Sequence, residues 1–154
     1  MAMTTEIVVS RDIAVPPEVL FALISDIAKM GQWSPESTGG HWAKGATGPA
    51  VGAQFVGENR NGKKSWKTSC KVVACQPPSL FGFDVTVGPI KVANWSYAIA
   101  PHASGSTVTE TWTDQRGWLA KKLGGPASGV SDRIAHNRAG MEETLRKLAA
   151  HVEG

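Results

Sequence analysis

Cysteine is scarce: Cys70 and Cys75 are the only two in 154 residues. That excludes the disulfide framework of a small secreted scaffold. Five positions apart in one extended run, the two are expected to point to opposite faces, and they lack the short paired spacing of a zinc site. Histidine is equally thin, scattered singly at His41, His102, His136 and His151, so neither a metal nor any other cofactor is expected. No stretch approaches the ~20 apolar residues of a membrane span, so stable insertion is not expected. The opening residues, MAMTTEIVVSRD, lack a basic region leading into a long apolar one. No secretory signal is therefore expected, and a reducing cytoplasmic location is. Charge is also limited: Asp, Glu, Lys and Arg make up 19% and the formal net charge is +3. Lys63, Lys64, Lys67 and Lys71 are the nearest approach to a basic cluster. A nucleic-acid binder concentrates such residues on one element, whereas these fit the solvated outer face of a strand, so no nucleic-acid partner is expected. Repeats and low-complexity tracts are absent as well. Residues 1–154 read as one domain, a monomer or a homodimer.

What is present is a change of period along the chain. TEIVVSRDIAVP is β-branched and alternating, which predicts a strand over about residues 5–15. PPEVLFALISD follows, with Pro17 suited to a first helical turn and Leu20, Leu23, Ile24 and Ile27 at helical spacing. Asp26 is placed to cap a second short helix, and Trp33 falls on the turn that ends it at Pro35. From residue 40 the period becomes two. Six strands are predicted in GHWAK, AQFVGENR, KSWKTSCKVVAC, SLFGFDVTV, KVANWSYAIA and STVTETWTDQR, separated by Gly, Pro and Asn turn chemistry. A glycine-rich break, GWLAKKLGGPASG, precedes a final helix in VSDRIAHNRAGMEETLRKLAAHVE. Its apolar stripe is Val130, Ile134, Met141, Leu145, Leu148 and Val152, with Asn137 inside the stripe and a Glu143–Lys147 pair outside it.

Alternation assigns faces. Trp66, Thr68, Cys70 and Val72 oppose a Ser/Lys row and point inward. Phe81, Phe83, Val85 and Val87 do the same, as do Trp95, Tyr97 and Ile99. The inward set that could meet a ligand is Trp42, Phe55, Asn59, Trp66, Cys70, Phe83, Trp95, Glu110, Trp112, Asn137 and Met141, with Trp33 near the entrance. Six tryptophans are many. Each indole adds apolar area and an N–H that needs a partner, so the set suits a lined pocket better than a solid core, which is more simply built from Leu and Ile.

In STVTETWTDQ a carboxylate, Glu110, sits between Val108 and Trp112 on the dry face. Burial pushes such a group toward its neutral form unless donors or a cation hold the charge. Three readings stay open: a satisfied structural carboxylate bonded to an indole, Tyr97 or Asn94; a group that orients a ligand's polar end; or a general acid or base, the one candidate catalytic residue. Asn137 raises the same question from the helix, because an unpaired buried amide costs roughly 1–3 kcal/mol. Arg133 and Arg138 flank that stripe. Trp118, Leu119 and Leu123 beside Lys121 and Lys122 suit either a membrane-surface contact or a gate freed by Gly124, Gly125 and Gly129.

One apolar sheet face and one apolar helix stripe are most simply buried against each other, giving an α+β fold with a curved antiparallel sheet around the last helix. The segments AVPPEVLFALISDIAKMGQWSPE (14–36), VGAQFVGENRNGKKSWKTSCKVVACQPPSLFGFDV (51–85) and NRAGMEETLRKL (137–148) resemble the SRPBCC or START-like helix-grip superfamily. The likeness is to its small actinobacterial polyketide cyclase/dehydrase-type branch. The resemblance implies a helix-grip fold: about seven strands wrapped around a long C-terminal helix, with two short helices after the first strand. It implies binding of a small hydrophobic molecule such as a lipid, polyketide or quinone, and no shared catalytic motif. Function from such a fold is therefore expected to be carriage or binding, with cyclase/dehydratase chemistry or protein interaction through the outer sheet as alternatives.

Overall fold

The computed structural model describes residues 5–117, 121–122 and 132–153. Seven strands form one antiparallel sheet: β1 (Thr5–Ile13), β2 (Ser37–Ala43), β3 (Gln54–Asn61), β4 (Lys64–Gln76), β5 (Leu80–Val87), β6 (Ile90–His102) and β7 (Gly105–Asp114). Their spatial order is β1-β7-β6-β5-β4-β3-β2. The consecutive strands β1 and β2 thus lie at opposite edges. The chain crosses between them through helix α1 (Pro17–Ile24) and a 3-10 helix (Ile27–Gln32). The long helix α2 (Arg133–Glu153) lies against β1 and β7. This is the expected helix-grip arrangement.

Local chemistry explains the crossover. Pro17 occupies the first turn of α1, where its missing N–H is no loss. Leu20, Phe21 and Ile24 are buried, and the Phe21 ring meets Phe81 edge-on at 6.2 Å. The next turn is a 3-10 helix rather than an α-helix, and Asp26 stands at its N-cap without a side-chain cap bond. The 3-10 helix lies very close to β2 because glycines line the contact. A Cβ on Gly31 would come within 2.9 Å of the Thr38 carbonyl carbon. At the other end Gly105 begins β7 with φ +145, pressed against the backbone of Ile13 and Ala14, where a side chain has no room.

β7 keeps strict alternation. Ser106, Val108, Glu110, Trp112 and Asp114 are buried, while the threonines between them are half-exposed. Elsewhere bulges break the parity on which face assignment depends. Between Val72 and Ala74 of β4 the register shifts, so Cys75 pairs with Phe81 as Cys70 pairs with Val85. Both cysteines therefore face inward, and the expected opposite orientation is corrected. A second shift lies on β6, where Val92 is the extra residue between Ala93 and Lys91; β5 keeps its parity, and Val87 is 45% exposed instead of buried because it ends the strand at the β5–β6 turn.

The helix stripe holds for Met141, Leu145 and Leu148, with Val152 packed against the core. Ile134, in the first turn of α2, departs from it at 47% exposure. Val130 lies outside the described residues. Glu143 bonds Arg146 at i+3 rather than Lys147, which acts on it only through charge.

Candidate functional site

Cross-strand register arranges the inner face in layers. Ile7, Trp112, Trp95, Phe83 and Val72 are neighbours in one row across β1, β7, β6, β5 and β4. One step deeper the row is Val9, Glu110, Tyr97, Phe81 and Cys75. Trp95 and Trp112 lie 6.3 Å apart and tilted. On the other arm Trp42, Phe55 and Phe83 form an edge-to-face chain at 5.6 and 5.1 Å. Met141 and Asn137 face this surface from α2, both buried.

The β3–β4 and β5–β6 turns, the end of β7 and the first turn of α2 gather at one end, as antiparallel topology and the Glu36 contacts require. Here the inward residues keep part of their exposure: Asn59, Trp66, Thr68 and Trp95 are only half-buried, while the half-buried Trp42 lies toward the β2–β3 turn. Together with Ile134 the first four mark an apolar mouth. Toward the opposite end the same face is closed by Val72, Phe81, Leu20, Val108 and Leu148. Trp33 is not at this mouth. It is buried at the end of the 3-10 helix with its ring 5.3 Å from His151, about 27 Å along α2 from Arg133 at 1.5 Å per residue.

Glu110 is 2% exposed. The hydroxyl of Tyr97, the chain's single tyrosine, donates to its Oε2 at 2.8 Å, whereas Oε1 has no hydrogen-bond partner among the described residues. Burial pushes the carboxyl up to about 8, against the opposing pull of the Tyr97 bond. At neutral pH Glu110 is therefore mostly a neutral acid. Tyr97 is itself raised well above its ordinary value by burial and by the neighbouring carboxylate. Asn94 is not a partner: it donates to Asp84 at 2.8 Å on the outer face. Cys70 is pushed up to about 11 by burial, so its thiol stays protonated and unreactive.

Neither flanking arginine reaches Glu110. Arg133 forks onto Glu36 at 2.8 and 2.9 Å and also donates to the Asn137 side-chain oxygen at 3.2 Å, while Arg138 is exposed. His136 joins Glu36 at 2.8 Å. This cluster ties α2 to the start of β2 at the rim, and it gives the Asn137 carbonyl a protein partner. A second rim cluster forms on Asp114, bonded to Arg116 at 2.9 Å and within 3.8 Å of Lys121. Burial works against the Asp114 charge, but the Arg116 bonds outweigh it and hold the carboxyl below its usual range. Asp114 could have been found by extending the β7 alternation two residues; Glu36 carries no local signal. Trp118, Leu119, Leu123, Gly124, Gly125 and Gly129 lie outside the described residues. Lys121 and Lys122 are exposed. Among the described residues no three His, Cys, Asp or Glu side chains gather to hold a metal ion, and no helix is long and apolar enough to cross a membrane.

Comparison with known proteins agrees with this geometry. The family model described as polyketide cyclase / dehydrase and lipid transport matches residues 4–153. No curated protein matches the sequence. Among solved structures, the polyketide-cyclase-like protein Cgl2372 from Corynebacterium glutamicum is 30% identical, with 99% of this chain and 94% of that one covered and a TM-score of 0.68. The ginseng major latex-like protein 151 from Panax ginseng shares 14% identity over 97% and 98% of the two chains at a TM-score of 0.71. The di-domain ARO/CYC StfQ from the steffimycin biosynthetic pathway aligns at a TM-score of 0.73 and 13% identity, over 96% of this chain and 50% of that one. The last two likenesses bear on the fold alone.

Proposed function

We propose that this chain, which belongs to the polyketide cyclase/dehydrase and lipid transport family, binds a small hydrophobic metabolite between its sheet and α2. The reading is carried by one observation: a buried carboxyl with one oxygen unpartnered, one register step from an aromatic pair, Trp95 and Trp112, of which Trp95 is half-buried. An apolar guest held there removes its own surface and the exposed part of Trp95 from water, at about 25 cal/mol per Å². The Glu110–Tyr97 pair supplies the polar anchor that such pockets use to fix orientation. Asn59 and Trp66 stand where a guest would enter, and Asn137 and Met141 where it would lie along the helix. We propose a cytoplasmic carrier or sink with no cofactor.

The experiment is native mass spectrometry of protein purified from its own host, paired with tryptophan fluorescence titration using apolar aromatic probes. A copurifying apolar compound, or saturable quenching that weakens when Trp95→Ala removes the aromatic layer, supports the reading. An interior that neither retains nor takes up any apolar compound refutes it.

The protonation of Glu110 also favours a second reading, acid–base catalysis of ring closure or dehydration. A carboxyl raised to about 8 is poised near working pH, as general acids are. Glu110→Gln separates the two: turnover that collapses while probe affinity stays within a few-fold identifies the enzyme, and undiminished turnover removes Glu110 from that role.

A further inference from the structure

A buried carboxyl–phenol pair is a unit whose protons can be counted. Glu110 and Tyr97 in their neutral forms hold two O–H protons. One lies inside the pair, in the 2.8 Å bond from Tyr97 to Oε2. The other sits on Oε1, which has no partner among the described residues. If the carboxyl proton instead sits on Oε2 and points at the phenol, the phenol proton becomes the free one. Either way the pair leaves one donor unsatisfied. Resting on the binding function proposed above, we infer that the ligand turns a neutral hydrogen-bond acceptor, a ketone, quinone or ester carbonyl, onto the Glu110–Tyr97 pair.

The surroundings exclude other polar ends. β1 presents Val9 beside Glu110, with Arg11 two residues further and exposed. β6 presents Tyr97, β5 Phe81 and β4 the Cys75 thiol. The buried stripe of α2 presents Met141, Thr144 and Leu145, and the Thr144 hydroxyl is already spent on the Gly140 carbonyl. Asp114, four residues along β7, is held by Arg116, and Arg133 is held by Glu36. A carboxylate end, as on a free fatty acid, would be stripped of water here with no free cation beside Glu110 among the described residues. An ammonium end would require Glu110 to ionise. With the proton on Oε1, a carbonyl takes it and leaves no further group of the pair unsatisfied.

The test compares fluorenone with fluorene, two tricyclic probes of nearly one shape that differ by a carbonyl. Affinity is read by tryptophan quenching at about pH 6 and about pH 9. The expected result at the lower pH is a preference of roughly tenfold for fluorenone, the value of one net hydrogen bond. At the higher pH the wild-type preference shrinks, because the ionised pair has no proton to offer. In Glu110→Gln, whose amide keeps both an acceptor for Tyr97 and a donor for the ligand, the preference survives at both pH values. Equal binding of the two probes at the lower pH overturns this inference and leaves the hydrophobic pocket standing. Tighter binding of fluorenecarboxylate than of fluorenone overturns it as well. Failure of every probe to bind overturns the pocket itself, a distinct outcome.

Discussion

Replacing Glu110 by glutamine should raise stability, and by an amount that depends on pH in a calculable way. The carboxyl is held at about 8 in the folded protein against an ordinary value of 4.5. An unfolded chain therefore ionises Glu110 from about pH 4.5 upward, while the folded chain keeps it neutral until about pH 8. The sign follows: below the unfolded value both states are protonated and nothing is lost. As pH climbs toward the folded value the unfolded state gains from losing a proton and stability falls; above it the loss is complete. At 1.36 kcal/mol per unit, the loss between pH 5 and pH 8 is roughly 3–4 kcal/mol. Glutamine keeps the shape and the Tyr97 bond and has no proton to lose.

Urea unfolding of both proteins at pH 5, 6, 7 and 8 reads this directly. Other titrating groups, the four histidines included, are common to both and cancel in the difference. The expected result is a Glu110→Gln advantage that widens by about 3 kcal/mol across the series, most of it between pH 5 and pH 7.5. Parallel stability curves would refute the reasoning, because they would mean that Glu110 ionises freely in a wet interior. A bound acceptor ligand should delay the wild-type loss to higher pH, and that shift is a second readout of the same proton.

Tyr97→Phe removes the one bond that holds Glu110 down, so carboxyl titration followed by carbon-13 NMR should move to still higher pH; a downward move contradicts the pairing. Asp114→Asn should destabilise by about 1–3 kcal/mol at neutral pH, because Arg116 loses its charged partner. The Asp114 charge is held below its ordinary range, so its contribution is present above about pH 4 and disappears as pH falls through the folded value; urea midpoints at pH 7 and pH 3 check it. Leu148→Ala, at a fully buried position where α2 meets the sheet, should lose about 2–5 kcal/mol, and a loss below about 1 would mean that α2 is not gripped. Cys70, raised to about 11 and buried, should resist iodoacetamide at pH 8 in the native state and react on unfolding, as mass spectrometry would show.

The sequence exposes those features whose cause is local. β7 could be read residue by residue because a one-sided strand must alternate, and its threonine row left Glu110 nowhere else to go. The aromatic layer followed from the same parity. Parity fails where the backbone adds a residue, and VVAC, which holds the β4 bulge, contains no glycine to announce one. Cys75 was lost for that reason, whereas Val87 was lost because alternation does not show where the buried part of a strand ends. The Arg133–Glu36 fork was hidden for another. Its partners are 97 positions apart, and only the placement of α2 over the start of β2 brings them together. Ile134 shows the limit of a helical stripe. Periodicity gives the direction in which a side chain points, but not where the partner surface ends.

Among the described residues Oε1 and the Trp33 indole Nε1 are the two buried side-chain polar atoms without a hydrogen-bond partner, and the other buried polar side chains are paired. Ser25 bonds the Phe21 carbonyl, Ser106 the Val15 carbonyl and Thr144 the Gly140 carbonyl; Asp114 has Arg116 and the Asn137 oxygen has Arg133. A chain that satisfies small hydroxyls so thoroughly is not careless with polar atoms. At position 110 a leucine would pack between Val9 and Tyr97 with no desolvation penalty, and a glutamine would keep the Tyr97 bond with no ionisation to suppress. Carrying a glutamate there instead gives up on the order of 3 kcal/mol at neutral pH, a large share of a typical domain's net stability. Local breaches of packing logic of this size belong to sites where another molecule completes the arrangement. Here the missing element is one hydrogen-bond acceptor, and the half-buried Trp95 stands one register step from Glu110.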